Sequence, residues 1–213
     1  MPTDLFRLYL VTDRSHTCGR PLLEVVEAAL AGGADAVQLR EKDLPARDLL
    51  ELAVRLVSLC RRYGARVLIN DRIDVALAAR ADGVHLPGNS FTAAEARHLL
   101  GPGALIGMST HSLAQAQEAA AGGADFIVLG PIYDTPSKRP FGLPPLGLEP
   151  LAVAARSISV PVLAIGGVSA DRVAPLCEHG AYGIATISAL LEAQDPRTAA
   201  ETMRAQLQRY VRS

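Results

Sequence analysis

The chain has 213 residues and a formal net charge of −1; 49% of its residues are hydrophobic, 4% are aromatic and none is Trp. This length suits one large domain, and the near-neutral charge gives no field to attract nucleic acid or an anionic membrane. Cys18, Cys60 and Cys177 form no C-x-x-C pair, no signal-peptide pattern opens the chain, and no apolar run approaches the ~20 residues of a membrane span. A reduced, cytoplasmic protein is expected, with Cys60 and Cys177 as small core residues.

Short apolar runs alternate with helical patterns along the whole chain. The run 8–11 (LYLV) is followed by a helical pattern over 22–31, and 36–39 (AVQL) by one over 45–63. In the latter, Leu49, Leu52, Ala53, Leu56 and Cys60 recur on one helical face. The series continues with 67–69 (VLI), helix 72–80, 83–86 (GVHL), helix 92–100, 104–108 (ALIGM) and helix 112–121. It ends with 126–129 (FIVL), helix 147–156, 162–165 (VLAI), helix 170–178, 182–187 (YGIATI) and helix 195–211. Continuous apolar runs suit strands buried on both faces, as in parallel sheets. Gly33-Ala34-Asp35, Gly123-Ala124-Asp125 and Gly180-Ala181-Tyr182 read as short turns between a helix and the next strand. Right-handed crossovers repeated eight times close into a (β/α)8 TIM barrel, a single α/β domain over 1–213. An open doubly wound sheet is the rival, but no G-x-G-x-x-G follows the first run. The Pro/Gly-rich stretch 131–147 is the place for a lid loop.

Such barrels place their sites at the C-terminal strand ends, and those positions are polar in this chain. In order they hold Thr12, Asp13 and Arg14; Gln38, Arg40 and Lys42; Asn70 and Asp71; His85, Asn89 and Ser90; Ser109 and His111; Thr135, Ser137 and Lys138; Gly166 and Gly167; and Ser188. Arg40, Lys42 and Lys138, with hydroxyl donors Ser109, Thr135 and Ser137, suit a diphosphate, Arg as a fork and Lys as a point charge. The competing reading makes Arg40–Glu41 and Lys42–Asp43 surface ion pairs of little energetic worth. Gly166-Gly167 and Ser188 suit a monophosphate on bare amides. Asp71 is a candidate ligand for a hard cation and needs a second carboxylate; an N-terminal helix role for Asp71 and Asp74 is the alternative.

Assembled in this order, the motifs YLVTD (9–13), QLREK (38–42), ND (70–71), GVHL (83–86), STHS (109–112), GPIYDTPSK (130–138), AIGG (164–167) and ISA (187–189) resemble the thiamine phosphate synthase and thiazole tautomerase superfamily over nearly the whole chain. The resemblance implies joining of hydroxymethylpyrimidine diphosphate to thiazole phosphate, with diphosphate leaving first and the thiazole nitrogen capturing a pyrimidine cation. It implies that Gln38, Arg40, Lys42 and Asn70 contact the pyrimidine diphosphate and that Ser109 and Lys138 hold its phosphates, with His85 among the substrate contacts. Thr135 and Ser137 would meet the thiazole and the loop, and Gly167, Ile187 and Ser188 the thiazole phosphate. Synthases of this family carry a second Mg²⁺ ligand, an Asp, where this chain has Ser90, so Mg²⁺ binding through Asp71 is expected to be weakened. LPGNSF (86–91) resembles the tautomerase branch, which isomerises a thiazole phosphate carboxylate to its aromatic form. That branch carries a His where this chain has Pro131. A barrel that binds thiazole phosphate or thiamine phosphate without turnover is the third alternative. Small phosphorylated substrates are the expected partners, and the sequence leaves open a homo-oligomer.

Overall fold

The computed structural model describes residues 5–135, 142 and 144–210. Its strands are β1 (Leu8–Val11), β2 (Ala36–Leu39), β3 (Arg66–Asn70), β4 (Gly83–Leu86), β5 (Leu105–Thr110), β6 (Phe126–Leu129), β7 (Val162–Ala164) and β8 (Gly183–Thr186). They pair in parallel in chain order, and β8 returns to β1, with Tyr9 opposite Ala185, so the barrel is closed. The helices between them are α1 (Leu22–Ala31), α2 (Ala46–Arg62), α3 (Ile73–Ala79), α4 (Ala93–Leu100), α5 (Leu113–Ala121), α6 (Leu148–Ser157) and α7 (Val173–Glu178). Two more, α8 (Ser188–Leu191) and α9 (Pro196–Gln208), follow β8. The sequence anticipates α9 but not α8, because a helix of 4 residues is too short to show a period. The helix expected over 170–178 opens as a 3-10 turn at Ala170–Arg172 before α7 begins.

Closure produces two cores, one between barrel and helices and one inside the barrel. The inner cluster contains Phe6, Tyr9, Val11, Ala36, Leu68, Phe126, Val128, Leu163 and Ala185. Three of the chain's few aromatics therefore plug the barrel floor: Phe126 packs edge-on against Phe6 at 5.0 Å and Tyr9 at 5.9 Å. Gly107 makes the room, since a Cβ there would lie 2.2 Å from the Phe126 ring. The barrel is filled, so ligands are confined to its mouth.

Three of the turns that lead into strands end in an aspartate that also ties strands together. Asp35, before β2, accepts the amides of Arg7 (2.9 Å) and Leu8 (3.0 Å) at the start of β1. Asp82, before β4, accepts the Val67 amide (2.8 Å), and Asp125, before β6, the Ile106 amide (2.7 Å). Each carboxylate also meets an arginine: Arg204 on Asp35, Arg66 on Asp82 and Arg97 on Asp125. Before β8 the carboxylate is replaced by Tyr182, whose carbonyl and ring both receive Arg7. β2, β4 and β6 are thus each clamped to the preceding strand, and β8 to the start of β1, at the end of the barrel opposite the candidate site. No helix among the described residues is long and apolar enough to cross a membrane.

Candidate active site

Strand alternation chooses which residues face the barrel axis. Ala36 and Leu68 belong to the inner cluster, so Gln38 and Asn70, two residues on, face the same way at the mouth. The register places Asn70 beside His85 and Val11 beside Gln38. Beyond Gln38 the chain leaves the sheet at Arg40, whose amide is held by the Thr12 hydroxyl at 2.9 Å.

The charges around Arg40 do not pair as neighbours. Arg14, after β1, takes both acids: it reaches Glu41 at 3.3 Å and Asp43 at 2.5 Å. Glu41 is 5% exposed, and its Oε1 has no hydrogen-bond partner among the described residues. Arg14 therefore neutralises a carboxylate that would be costly to bury alone. Arg40 and Lys42 have no carboxylate ion pair among the described residues. The Lys42 ammonium is pushed below its ordinary value by burial and by the adjacent Arg40 charge, with Asp71 opposing. Two cations are held together at the β2 exit, an arrangement that favours a multiply charged anion between them.

Asp71 has a left-handed backbone, φ +66°, a conformation that Asp adopts more readily than most residues. Its amide bonds to the His85 carbonyl at 3.0 Å, and its Oδ1 accepts the Ser90 hydroxyl. Ser90 is therefore directly beside Asp71. Asp74 is not part of this group: Arg72 grips it through two contacts of 2.8 and 2.5 Å on the surface. Among the described residues, no cluster of three or more His, Cys, Asp or Glu forms a metal cage.

A neutral hydrogen-bonded chain runs from the barrel floor to the mouth. Gln38 Nε2 donates to the Tyr9 hydroxyl (3.3 Å), Tyr9 reaches His85 Nδ1 (3.5 Å), and His85 Nε2 lies 2.8 Å from Ser109 Oγ. His85 is 1% exposed; burial, reinforced by the Arg40 charge, pushes its pKa down to about 3. Burial raises the Tyr9 phenol, with the Gln38 bond opposing. Both groups stay uncharged at neutral pH. With Tyr9 accepting from Gln38, its proton is directed to Nδ1; Nε2–H then donates to Ser109, whose own proton is left for a ligand. Tyr9 was hidden from sequence reasoning inside an apolar run, although its inward register with Gln38 and His85 was the available signal.

Burying His85 in the neutral form also makes stability depend on pH. The unfolded chain takes up this proton near pH 6.5, the folded one only near 3, so stability is complete above 6.5 and falls as pH drops through that window. At 1.36 kcal/mol per unit, the loss from pH 6.5 to 5 is about 2 kcal/mol. Urea unfolding at the two pH values should show this loss in the wild type and not in His85→Gln.

Across the mouth, Gly166 (φ +97°) and Gly167 (φ +61°) turn the chain after β7. A Cβ on Gly167 would lie 2.7 Å from the Asp134 carbonyl, so glycine is required twice over, by conformation and by space. Among the described residues no acceptor faces the amides of Gly166, Gly167 or Val168. Consecutive free amides of this kind form an anion-binding concavity. Exposed Ser188 opens α8 after β8, and half-buried Ile187 supplies the preceding turn. Thr135 is half-buried on the loop after β6, while Ser137 and Lys138 lie outside the described residues. Arg172, read from the sequence only as part of a helix, reaches this corner: its Nη1 donates to the Gly167 carbonyl at 2.6 Å, and its guanidinium lies 4.5 Å from the Tyr133 ring centre.

Known proteins resemble this chain over most of its length. A family model described as thiamine monophosphate synthase matches residues 8–190. A Geobacter sulfurreducens protein named "Putative thiamine-phosphate synthase" is 54% identical over 202 residues, 95% of this chain and 94% of its own length. A thiamine-phosphate synthase of Roseiflexus sp. is 44% identical over 93% of this chain and 84% of its own. The solved structure of thiamine phosphate pyrophosphorylase from Pyrococcus furiosus matches with a TM-score of 0.89 at 37% identity, covering 97% of this chain and 98% of that one. The chain belongs to the thiamine monophosphate synthase family.

Proposed function

We propose that this enzyme joins hydroxymethylpyrimidine diphosphate to thiazole phosphate, forming thiamine phosphate and diphosphate. The C–O bond between the pyrimidine methylene and diphosphate breaks, and the thiazole nitrogen forms a C–N bond to that methylene. The observation that carries this reading is the pair Arg40 and Lys42, left without carboxylate partners among the described residues because Arg14 holds Glu41 and Asp43. Charge builds on the departing diphosphate as the C–O bond stretches, so fixed cations there act most strongly in the transition state.

The remaining groups divide between the two substrates. Gln38 and Asn70 at the floor of the mouth face the pyrimidine. Ser109, oriented by His85, donates to the diphosphate, joined by Lys138 from the loop after β6; Thr135 and Ser137 meet the thiazole. The amides of Gly166–Val168, with Ile187 and Ser188, take the thiazole monophosphate. Asp71 suits Mg²⁺ that enters with a diphosphate, since this ion commonly uses one or two carboxylates and substrate oxygens. When bound, the ion would neutralise part of the diphosphate charge; Ser90 offers it only a neutral oxygen. The free cysteines Cys18, Cys60 and Cys177 fit a reducing compartment such as the cytoplasm.

Incubation with both substrates and Mg²⁺ should release diphosphate; folded enzyme that releases none at high concentration contradicts this reading. Ser90 on Asp71 is the observation favouring an isomerase acting on a thiazole phosphate carboxylate. An ultraviolet change on adding that carboxylate alone would support the isomerase, and an unchanged spectrum would remove it.

A further inference from the structure

We infer that Arg172 is a positioning residue for the thiazole monophosphate: it orients the amide cradle after β7 by holding the Gly167 carbonyl while stacked on Tyr133. The inference rests on the functional reading above, which gives that cradle its phosphate. Arg172 makes no carboxylate ion pair among the described residues, so an acid does not explain its placement. One nitrogen, Nη1, is committed to the Gly167 carbonyl at 2.6 Å, and the guanidinium carbon lies over the Tyr133 ring, 4.5 Å from its centre.

The consequence follows from peptide geometry. The Gly167–Val168 bond is trans, so its carbonyl and its N–H point in opposite directions. Fixing the carbonyl on Arg172 turns the Val168 amide away from Arg172, and that amide has no acceptor among the described residues. Gly167 has no Cβ to limit its rotation, so the peptide plane needs an external hold. Tyr133 supplies the other half of the hold. Its amide donates to the Gly166 carbonyl at 3.1 Å, while its ring carries the guanidinium. Both carbonyls of the glycine pair are thereby fixed from one side, leaving their amides to the anion. Tyr133 also lies two residues before Thr135, so the cradle is tied to the base of the loop assigned to the diphosphate.

The test measures each substrate's KM separately. Arg172→Ala should raise KM for thiazole phosphate about tenfold, as expected for one lost charge-assisted hold, with kcat and KM for the pyrimidine diphosphate within about twofold. Arg172→Lys should recover less than half of the loss, because an ammonium can meet the carbonyl but cannot lie flat on the ring. Tyr133→Phe should behave as wild type and Tyr133→Leu as Arg172→Ala. An unchanged KM in Arg172→Ala, or full recovery by Arg172→Lys, overturns the inference. Should the wild type show no turnover, the functional reading fails, and the cradle is then tested with inorganic phosphate alone. Phosphate should raise the thermal midpoint of the wild type more than that of Arg172→Ala; equal shifts overturn the positioning role.

Discussion

Arg40→Ala lowers kcat/KM for the pyrimidine diphosphate by about 10²–10³-fold, the usual cost of removing one preorganised donor from a developing anion. Diphosphate release under subsaturating substrate measures it. Arg40→Lys should fall between the two, because a point charge replaces a bidentate fork. The stability of Arg40→Ala should be equal to or slightly above that of the wild type. Arg40 has no carboxylate to lose among the described residues, and its charge depresses the neighbouring Lys42 ammonium. Removing it relieves repulsion in the folded state. A change that stabilises the fold while disabling catalysis is the mark of a cation placed for a substrate. Urea unfolding of Arg40→Ala that shows a loss of more than about 1 kcal/mol would instead make Arg40 structural.

Ser90→Asp raises Mg²⁺ affinity about tenfold or more, since ligand charge count is a main determinant of affinity at such sites. The Ser90 hydroxyl now donates to Asp71, and an aspartate would replace that attraction with carboxylate repulsion. The metal-free variant should therefore unfold at a lower temperature than the wild type and regain the difference on Mg²⁺ addition. Calorimetric titration with Mg²⁺ and inorganic diphosphate reads the affinity directly. An unchanged titration would mean that position 90 is not the second ligand position.

Four strands were legible to the residue, 8–11, 36–39, 83–86 and 126–129, because both faces of a closed parallel barrel are buried and the strands read as unbroken apolar runs. The exits were legible for a related reason: Gln38, Asn70, His85 and Ser109 are polar where a core would ask for Leu or Val. Pairing was less visible. Arg40–Glu41 and Lys42–Asp43 are adjacent in the chain, yet the turn after β1 brings Arg14 to both acids. The clamps of Asp35, Asp82 and Asp125 join positions 15 to 169 residues apart, and no local period reveals them. Tyr9 and Arg172 escaped for the opposite reason: each fits its local element, an apolar strand or a helix start, and acquires its role only from what the barrel sets beside it.

In the proposed function Arg40 and Lys42 hold the leaving diphosphate, while the glycine turn after β7 holds the other phosphate. Product inhibition by inorganic diphosphate, compared with KM for thiazole phosphate in wild type, Arg40→Ala and Lys42→Ala, tests it most directly. The diphosphate inhibition constant should rise about tenfold or more in each variant, while KM for thiazole phosphate stays within about twofold. Unchanged diphosphate inhibition in both variants, or a rise confined to the KM for thiazole phosphate, would contradict it.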